Sequence, residues 1–341
     1  MTQIAPTKLV GLVPPQARNS VRRGLSAALN LIPLAALQPL RRAYPNSSPG
    51  SPQERRLNLL LQVVRYRGIP RHLESFPLTD NPSVSVLNTD SFIAERLYWF
   101  GESKGYEPEV LYWWRRFCAA SGNILELGTN IGYYAVQGGR INPTARYTAV
   151  EPHPGAAAAC RRNLQLNGIT NVSVLEAAAV GEPETSSIEL YLPGGRDHFQ
   201  EAPCSGFASG NELHHAGVEE IAKYSTLTVH AVEFRSLLEG VDLLKIDVEG
   251  QEYSLLSSAE DLLRRYKPTM FLEVLDGTHK LRNFLVHLCE TLPYQCFVPT
   301  PTELVPLPAS ELPTVSLVSM FGTRDLVMVC DPVIERGSGG S

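Results

Sequence analysis

The sequence predicts an α/β protein: a mostly parallel sheet with helices on both faces, preceded by a mainly helical N-terminal extension. Two observations carry this. From residue 123 onward short runs rich in Val, Ile and Leu alternate with helical patterns, as buried parallel strands linked by helices must. The first of those runs ends in "NILELGTNIGYYAV" (123–136), where Gly128 lets the chain turn and Gly132 lets the next helix approach closely.

Residues 1–87 read as the extension, helical or partly disordered. Residues 25–40 are apolar and flanked by Arg22, Arg23, Arg41 and Arg42, but sixteen residues with two prolines are too short and too broken to span a bilayer. "YPNSSPGSPQ" (44–53) reads as a linker and 54–76 as helix-prone. Two helices follow within 88–122, the first capped by Asp90, the second opened by Glu107-Pro108. The main domain is placed at 88–336.

Within it, strands are expected at 123–127, 146–150, 172–175, 242–246, 269–274, 295–298 and 326–330. Helices are expected at 130–137, 154–166, 251–265 and 279–289. "SSIELYLP" (186–193) and "STLTVHAVEF" (225–234) read as further strands. Between them, 194–224 is a long insertion on the substrate side, rich in Gly and His. The closing "GSGGS" (337–341) has the composition of a linker or tag remnant.

Net charge is −5 with a pI near 5.9, which argues against binding driven by nucleic-acid phosphates. None of the six cysteines stands in a C-x-x-C pair, as expected of reduced thiols in a cytoplasmic protein.

The turn discriminates between nucleotides. A dinucleotide site prefers G-x-G-x-x-G, with pyrophosphate at the helix N-terminus. Here Asn130 stands where the middle glycine would be, and Glu126 brings a carboxylate that suits a cationic ligand. The second strand ends in Glu151, placed to accept from ribose hydroxyls. A nucleoside with a cationic tail and no phosphate is S-adenosylmethionine.

"ILELGTNIGYYAV", "YTAVEPHP", "CRRNLQLNG", "EAAAVGE" and above all "LLKIDVEGQEYSLLSSAEDLLRRYKPTMFLEV" resemble the FkbM family of S-adenosylmethionine-dependent methyltransferases. The resemblance covers about residues 88–332 by eye, the K-I-D-V-E-G run being its specific part. It departs at Val232-Glu233-Phe234, where many relatives have a Leu-Asp pair. It implies a Rossmann-like class I methyltransferase fold with seven strands, the last antiparallel. It also implies O-methylation of a sugar, glycolipid or polyketide-type natural product. Carried over, Glu126, Gly128, Thr129, Asn130 and Gly132 would line the methionine side of the cofactor, Glu151 the ribose, and Ala178 and Ala179 the adenine edge or else the core.

An alcohol acceptor needs its proton removed, or a metal to lower its pKa. Asp247 and Glu249 leave one strand and Glu273 the next, at the same sheet edge. These carboxylates suit a general base, or Mg²⁺. His279 is a further candidate base, and His198, His214 and His215 are candidate acceptor contacts. The expected partners are a small-molecule or glycan acceptor, with no nucleic acid and no integral membrane span; a homo-oligomer stays open. The alternatives are methyl transfer to nitrogen or a carboxyl oxygen, or a nicotinamide-dependent oxidoreductase on a similar fold.

Overall fold

The structure, a computed structural model, describes residues 29, 31–181, 186–193 and 224–330. The insertion with His198, His214 and His215 therefore lies outside the described residues, apart from Tyr224. The chain divides into two compact units at Tyr106/Glu107. The helix after Asn88 packs into the first unit.

That unit holds α1 (Leu34–Ala43), α2 (Pro52–Val64), a hairpin of β1 (Ser75–Pro77) and β2 (Ser85–Leu87), and α3 (Phe92–Phe100). Helix α2 starts at Pro52 because Ser51 Oγ accepts the Glu54 amide, and it stops well before residue 76. Gly68 then takes φ +74°, and the chain runs on to β1. Ser91, rather than the expected Asp90, caps α3 by accepting the Ala94 amide. Tyr98, Trp99 and Phe100 fill the core, with Tyr98 edge-on to Phe76 and the buried Arg41 guanidinium 3.5 Å over the Tyr98 ring. Among the described residues no helix is long and apolar enough to cross a membrane.

The second unit begins with α4 (Pro108–Ala120). An eight-stranded sheet follows, in the order β12 (Leu304–Leu307), β11 (Gln295–Pro299), β13 (Asp325–Val329), β10 (Thr269–Glu273), β9 (Leu243–Ile246), β3 (Asn123–Leu127), β4 (Arg146–Val150), β5 (Val172–Leu175). Strands β5, β4, β3, β9 and β10 are parallel, and β13 inserts antiparallel between β10 and β11. The strand order reverses at β3, as the resemblance implies. The seven expected strands are present, and β12 adds an eighth. Its Pro306 is tolerated because β12 is an edge strand. A smaller sheet joins β6 (Ala178–Val180), β8 (Tyr224–Glu233) and β7 (Ser187–Pro193), the last two antiparallel over seven pairs. A single turn of helix, α7 (Phe234–Leu237), then leads into β9.

Helices α5 (Tyr133–Ile141) and α6 (Pro154–Leu166) follow β3 and β4; α8 (Glu252–Ser258) and α9 (Glu260–Tyr266) follow β9; α10 (His279–Thr291) follows β10; α11 (Leu317–Phe321) precedes β13. Helix α5 begins three residues later than expected. Gly128, Asn130 and Gly132 all take left-handed φ (+79°, +52° and +79°), which keeps 128–132 out of a helix. The single helix expected at 251–265 is two, broken at Ala259 (φ −121°), whose carbonyl accepts from the Leu262 and Leu263 amides.

Alternation along the strands separates two faces. Leu244, Ile246, Met270, Leu272, Leu326 and Met328 form one core with Leu255, Leu256, Leu263, Leu281 and Leu285 from α8–α10. On the other face Phe271 stands edge-on to Trp114 and Phe117 of α4. That second face carries the site.

Candidate functional site at the carboxyl edge of the sheet

The glycine turn is held by β4 and crowded by β9. The Gly128 and Thr129 amides both donate to the Val150 carbonyl. A Cβ on Gly128 would stand 1.8 Å from the Asp247 carbonyl oxygen, and one on Gly132 2.4 Å from Cys160 Sγ. Only glycine lets the turn come this close to both neighbours. The same contact places the backbone of Asp247 against the turn, so the β3 and β9 loops share one edge.

Glu151, 7% exposed, closes the turn. One carboxylate oxygen accepts the Asn130 amide (2.8 Å) and the other the His153 amide (2.9 Å). Burial pushes its pKa up to about 7, against the pull of those two amides. Each oxygen keeps a second lone pair, so the carboxylate can still accept from a vicinal diol. His153 caps α6 by accepting the Ala156 amide at Nδ1, which assigns the proton to Nε2. Among the described residues that buried Nε2–H has no hydrogen-bond partner, on the residue whose amide already holds Glu151. A ribose therefore fits the donor and acceptor set here. A pyrophosphate fits less well, because Glu151 and Asp247 bring carboxylates to this edge.

Cross-strand register builds the second half of the site. Glu126 of β3 pairs with Lys245 of β9, Lys245 with Phe271 of β10, and Glu273 with Asp325 of β13. Paired residues share a face, as do residues two apart. Glu126, Lys245, Asp247, Glu273 and Asp325 consequently all lie on the α4 side. Lys245, 3% exposed, gives its ammonium to Asp247 Oδ2 at 2.9 Å and lies 4.7 Å over the Tyr134 ring. Tyr134 Oη donates to Glu107 at 2.8 Å. Lys245 is held charged, its pKa raised against desolvation by Asp247, Glu107, Asp325 and Glu126.

Burial and mutual repulsion raise the carboxyls. Glu107, the residue before α4, is pushed to about 8 by burial and by Asp325; Asp325 goes to about 7 by burial, against Lys245. Glu273 rises to about 8 and Glu249 to about 7, by burial first and Asp247 second. Glu126, fully enclosed, is raised by burial, against Lys245 and a 2.5 Å hydrogen bond from Tyr147 Oη. The cation that Glu126 faces is thus the protein's own Lys245. Glu252 shapes the loop after β9, accepting the Val248 and Gly250 amides at one oxygen.

The sign of the pH dependence follows. Glu107, Glu151, Glu249, Glu273 and Asp325 all have folded-state pKa values above their unfolded ones. Each contributes stability that is full below its unfolded value and is lost as pH rises through about 7–8. The ligand-free thermal midpoint should fall by about 5 °C or more between about pH 6 and about pH 8.5. A flat midpoint in a calorimetric pH series would refute these shifts.

The Ala178 side chain packs in the small sheet's core with Leu190, Leu192 and Val229, and Ala179 packs against the main core. His279 is the exposed first residue of α10, and its ring makes no hydrogen bond or ion pair among the described residues. The Mg²⁺ alternative on Asp247, Glu249 and Glu273 finds no support. Among the described residues no three His, Cys, Asp or Glu side chains are arranged to hold a metal, and Asp247 is committed to Lys245. Lys245, Glu107, Tyr134, His153, Glu252 and Asp325 were not anticipated as site residues. Lys245 left one signal, a lysine inside the apolar run "DLLKI".

Residues 126–295 match the Methyltransferase FkbM domain. The chain is 27% identical over 150 residues to Methyltransferase 1 of Beauveria bassiana (strain ARSEF 2860), covering 40% of this chain and 58% of that protein. It is 26% identical over 212 residues to Methyltransferase sdnD of Sordaria araneosa, covering 52% and 79%. The chain thus spans little more than half the length of the first of these relatives. Similar solved structures include a methyltransferase FkbM from Methylobacillus flagellatus KT (14% identity, 61% of this chain and 43% of that one, TM-score 0.37). Another is the O-methyltransferase TomG from Streptomyces achromogenes, in complex with SAM (11% identity, 66% and 80%, TM-score 0.35).

Proposed function

We propose, from the premise that this chain is a methyltransferase of the FkbM family, that it is an S-adenosylmethionine-dependent O-methyltransferase acting on a hydroxyl of a sugar, glycolipid or polyketide-type natural product. The observation that carries the cofactor is Glu151: a carboxylate at the end of β4, fixed by two backbone amides and still able to accept from two hydroxyls. S-adenosylmethionine supplies, when bound, an activated methyl on a sulfonium centre.

The chain's own residues do the rest. Glu151 accepts from the nucleoside's hydroxyls at the end of the 128–132 turn, and the carboxylates at this edge favour a cation over a phosphate. An acceptor hydroxyl is a weak nucleophile until its proton is taken, and Asp247, Glu249 and Glu273 are the carboxylates at this edge able to take it. Asp247 is the strongest candidate because its backbone abuts the Gly128 turn and Lys245 holds its carboxylate in place. Glu273 and Glu249, raised to about 8 and about 7, pass from donor to acceptor across neutral pH.

Calorimetry tests the cofactor. S-adenosylmethionine and S-adenosylhomocysteine should bind, nicotinamide dinucleotides should not, and Glu151→Ala should weaken the adenosyl ligand by about 1.5–3 kcal/mol. Binding of a nicotinamide dinucleotide by the wild type, or undiminished adenosyl affinity in the variant, would defeat the reading. The acceptor class is tested by offering glycans, glycolipids and polyketide-type alcohols with methyl-labelled cofactor; label on nitrogen or a carboxyl oxygen would defeat O-methylation.

A further inference from the structure

Helix α2 has two apolar faces. Leu57, Leu61 and Val64 are buried in the first unit, yet Leu59, Leu60 and Val63 stand 60%, 50% and 47% exposed. On the helix Arg55, Leu59 and Val63 form one row at i, i+4 and i+8, and Arg56 and Leu60 the row beside it. All five are exposed, so the outward face is an apolar stripe headed by two arginines. At the far end of α2 the Arg67 guanidinium donates to the Ile32 carbonyl, which ties the 31–32 turn nearby. Leu31 (86% exposed) and Ile32 (37%) extend the apolar surface. Apolar side chains grouped in this way mark an interaction surface.

Charge identifies what the surface meets. Residues 1–106 carry thirteen Lys and Arg against six Asp and Glu, a balance of +7; residues 107–341 carry 17 against 29, a balance of −12. The overall −5 hides this division. A second copy of this face brings no acidic side chain to answer Arg55 and Arg56. A lipid surface with anionic headgroups offers both complements at once: negative charge for Arg55 and Arg56, and an acyl boundary for Leu59, Leu60 and Val63. We infer that the outward face of α2, with Leu31 and Ile32, docks the enzyme peripherally on an anionic membrane.

Co-sedimentation of the full chain with vesicles tests this. Phosphatidylcholine vesicles with about one third phosphatidylserine should carry the protein down, and pure phosphatidylcholine much less. The Leu59→Gln/Leu60→Gln/Val63→Gln variant should lower the partition coefficient at least about tenfold, and so should Arg55→Gln/Arg56→Gln. Both leave Leu57, Leu61 and Val64 in place, and an unchanged thermal midpoint would show that the fold is intact. Wild-type protein that stays in the supernatant with anionic vesicles would overturn the inference. So would equal sedimentation of either variant, or a triple variant that loses only self-association.

Discussion

Replacing Lys245 by methionine is expected to destabilise the second unit by about 3–5 kcal/mol, the scale for removing one partner from a buried ion pair. Methionine matches the stem in length, so packing around Tyr134 is nearly kept. The ammonium that faces Asp247, Glu107, Asp325 and Glu126 is lost. The cost should also depend on pH. Below about pH 6 the carboxyls, already raised by burial, can take up protons and relieve one another. At about pH 8 they must ionise without a cation, so the variant's deficit should grow as pH rises. Denaturant unfolding at the two pH values reads both quantities. A deficit under about 1 kcal/mol, or one that shrinks toward alkaline pH, would show that Lys245 is not what holds the cluster together.

Asp247→Asn should reduce turnover at least about a hundredfold while leaving affinity for the adenosyl ligand within a few-fold, the pattern of a lost acid–base group. Asparagine keeps the shape and an oxygen for Lys245 Nζ, which separates this variant from the lysine variant. Its measurement is single-turnover methyl transfer to whichever acceptor takes label. Turnover that survives EDTA in the wild type would assign the proton to the carboxylate without a metal's help. Near-normal turnover in Asp247→Asn would leave the residue only the role of holding the Lys245 ammonium, and would move the base to Glu273 or Glu249.

The parallel core was legible from the sequence because its strands are buried on both faces. Helix α6 falls on its expected bounds, 154–166, because Pro154 opens it and Asn167-Gly168 closes it, all within a few residues. The carboxylates at the strand ends could likewise be placed on one edge, since parallel neighbours bring their carboxyl ends together. Where expectation and structure part, a distant residue decided the outcome. The start of α5 depends on three left-handed residues, two of them glycines that the approach of Asp247 and Cys160 requires. The β12 strand exists because β11 offers it an edge, which "ELVPLP" does not announce on its own.

The site divides along the same line. The sequence by itself determined the glycine turn, the acidic end of β4 and the identity of the edge carboxylates, because turn chemistry and strand ends are local properties. Only the tertiary structure decided what those carboxylates face. Glu126 and Lys245 are more than a hundred residues apart, and register alone makes them neighbours on one face. Glu107 and Asp325 come to the same buried ammonium from opposite ends of the second unit. Their charge states follow from exclusion of water and from one another's proximity. Neither quantity exists until the sheet has closed around them.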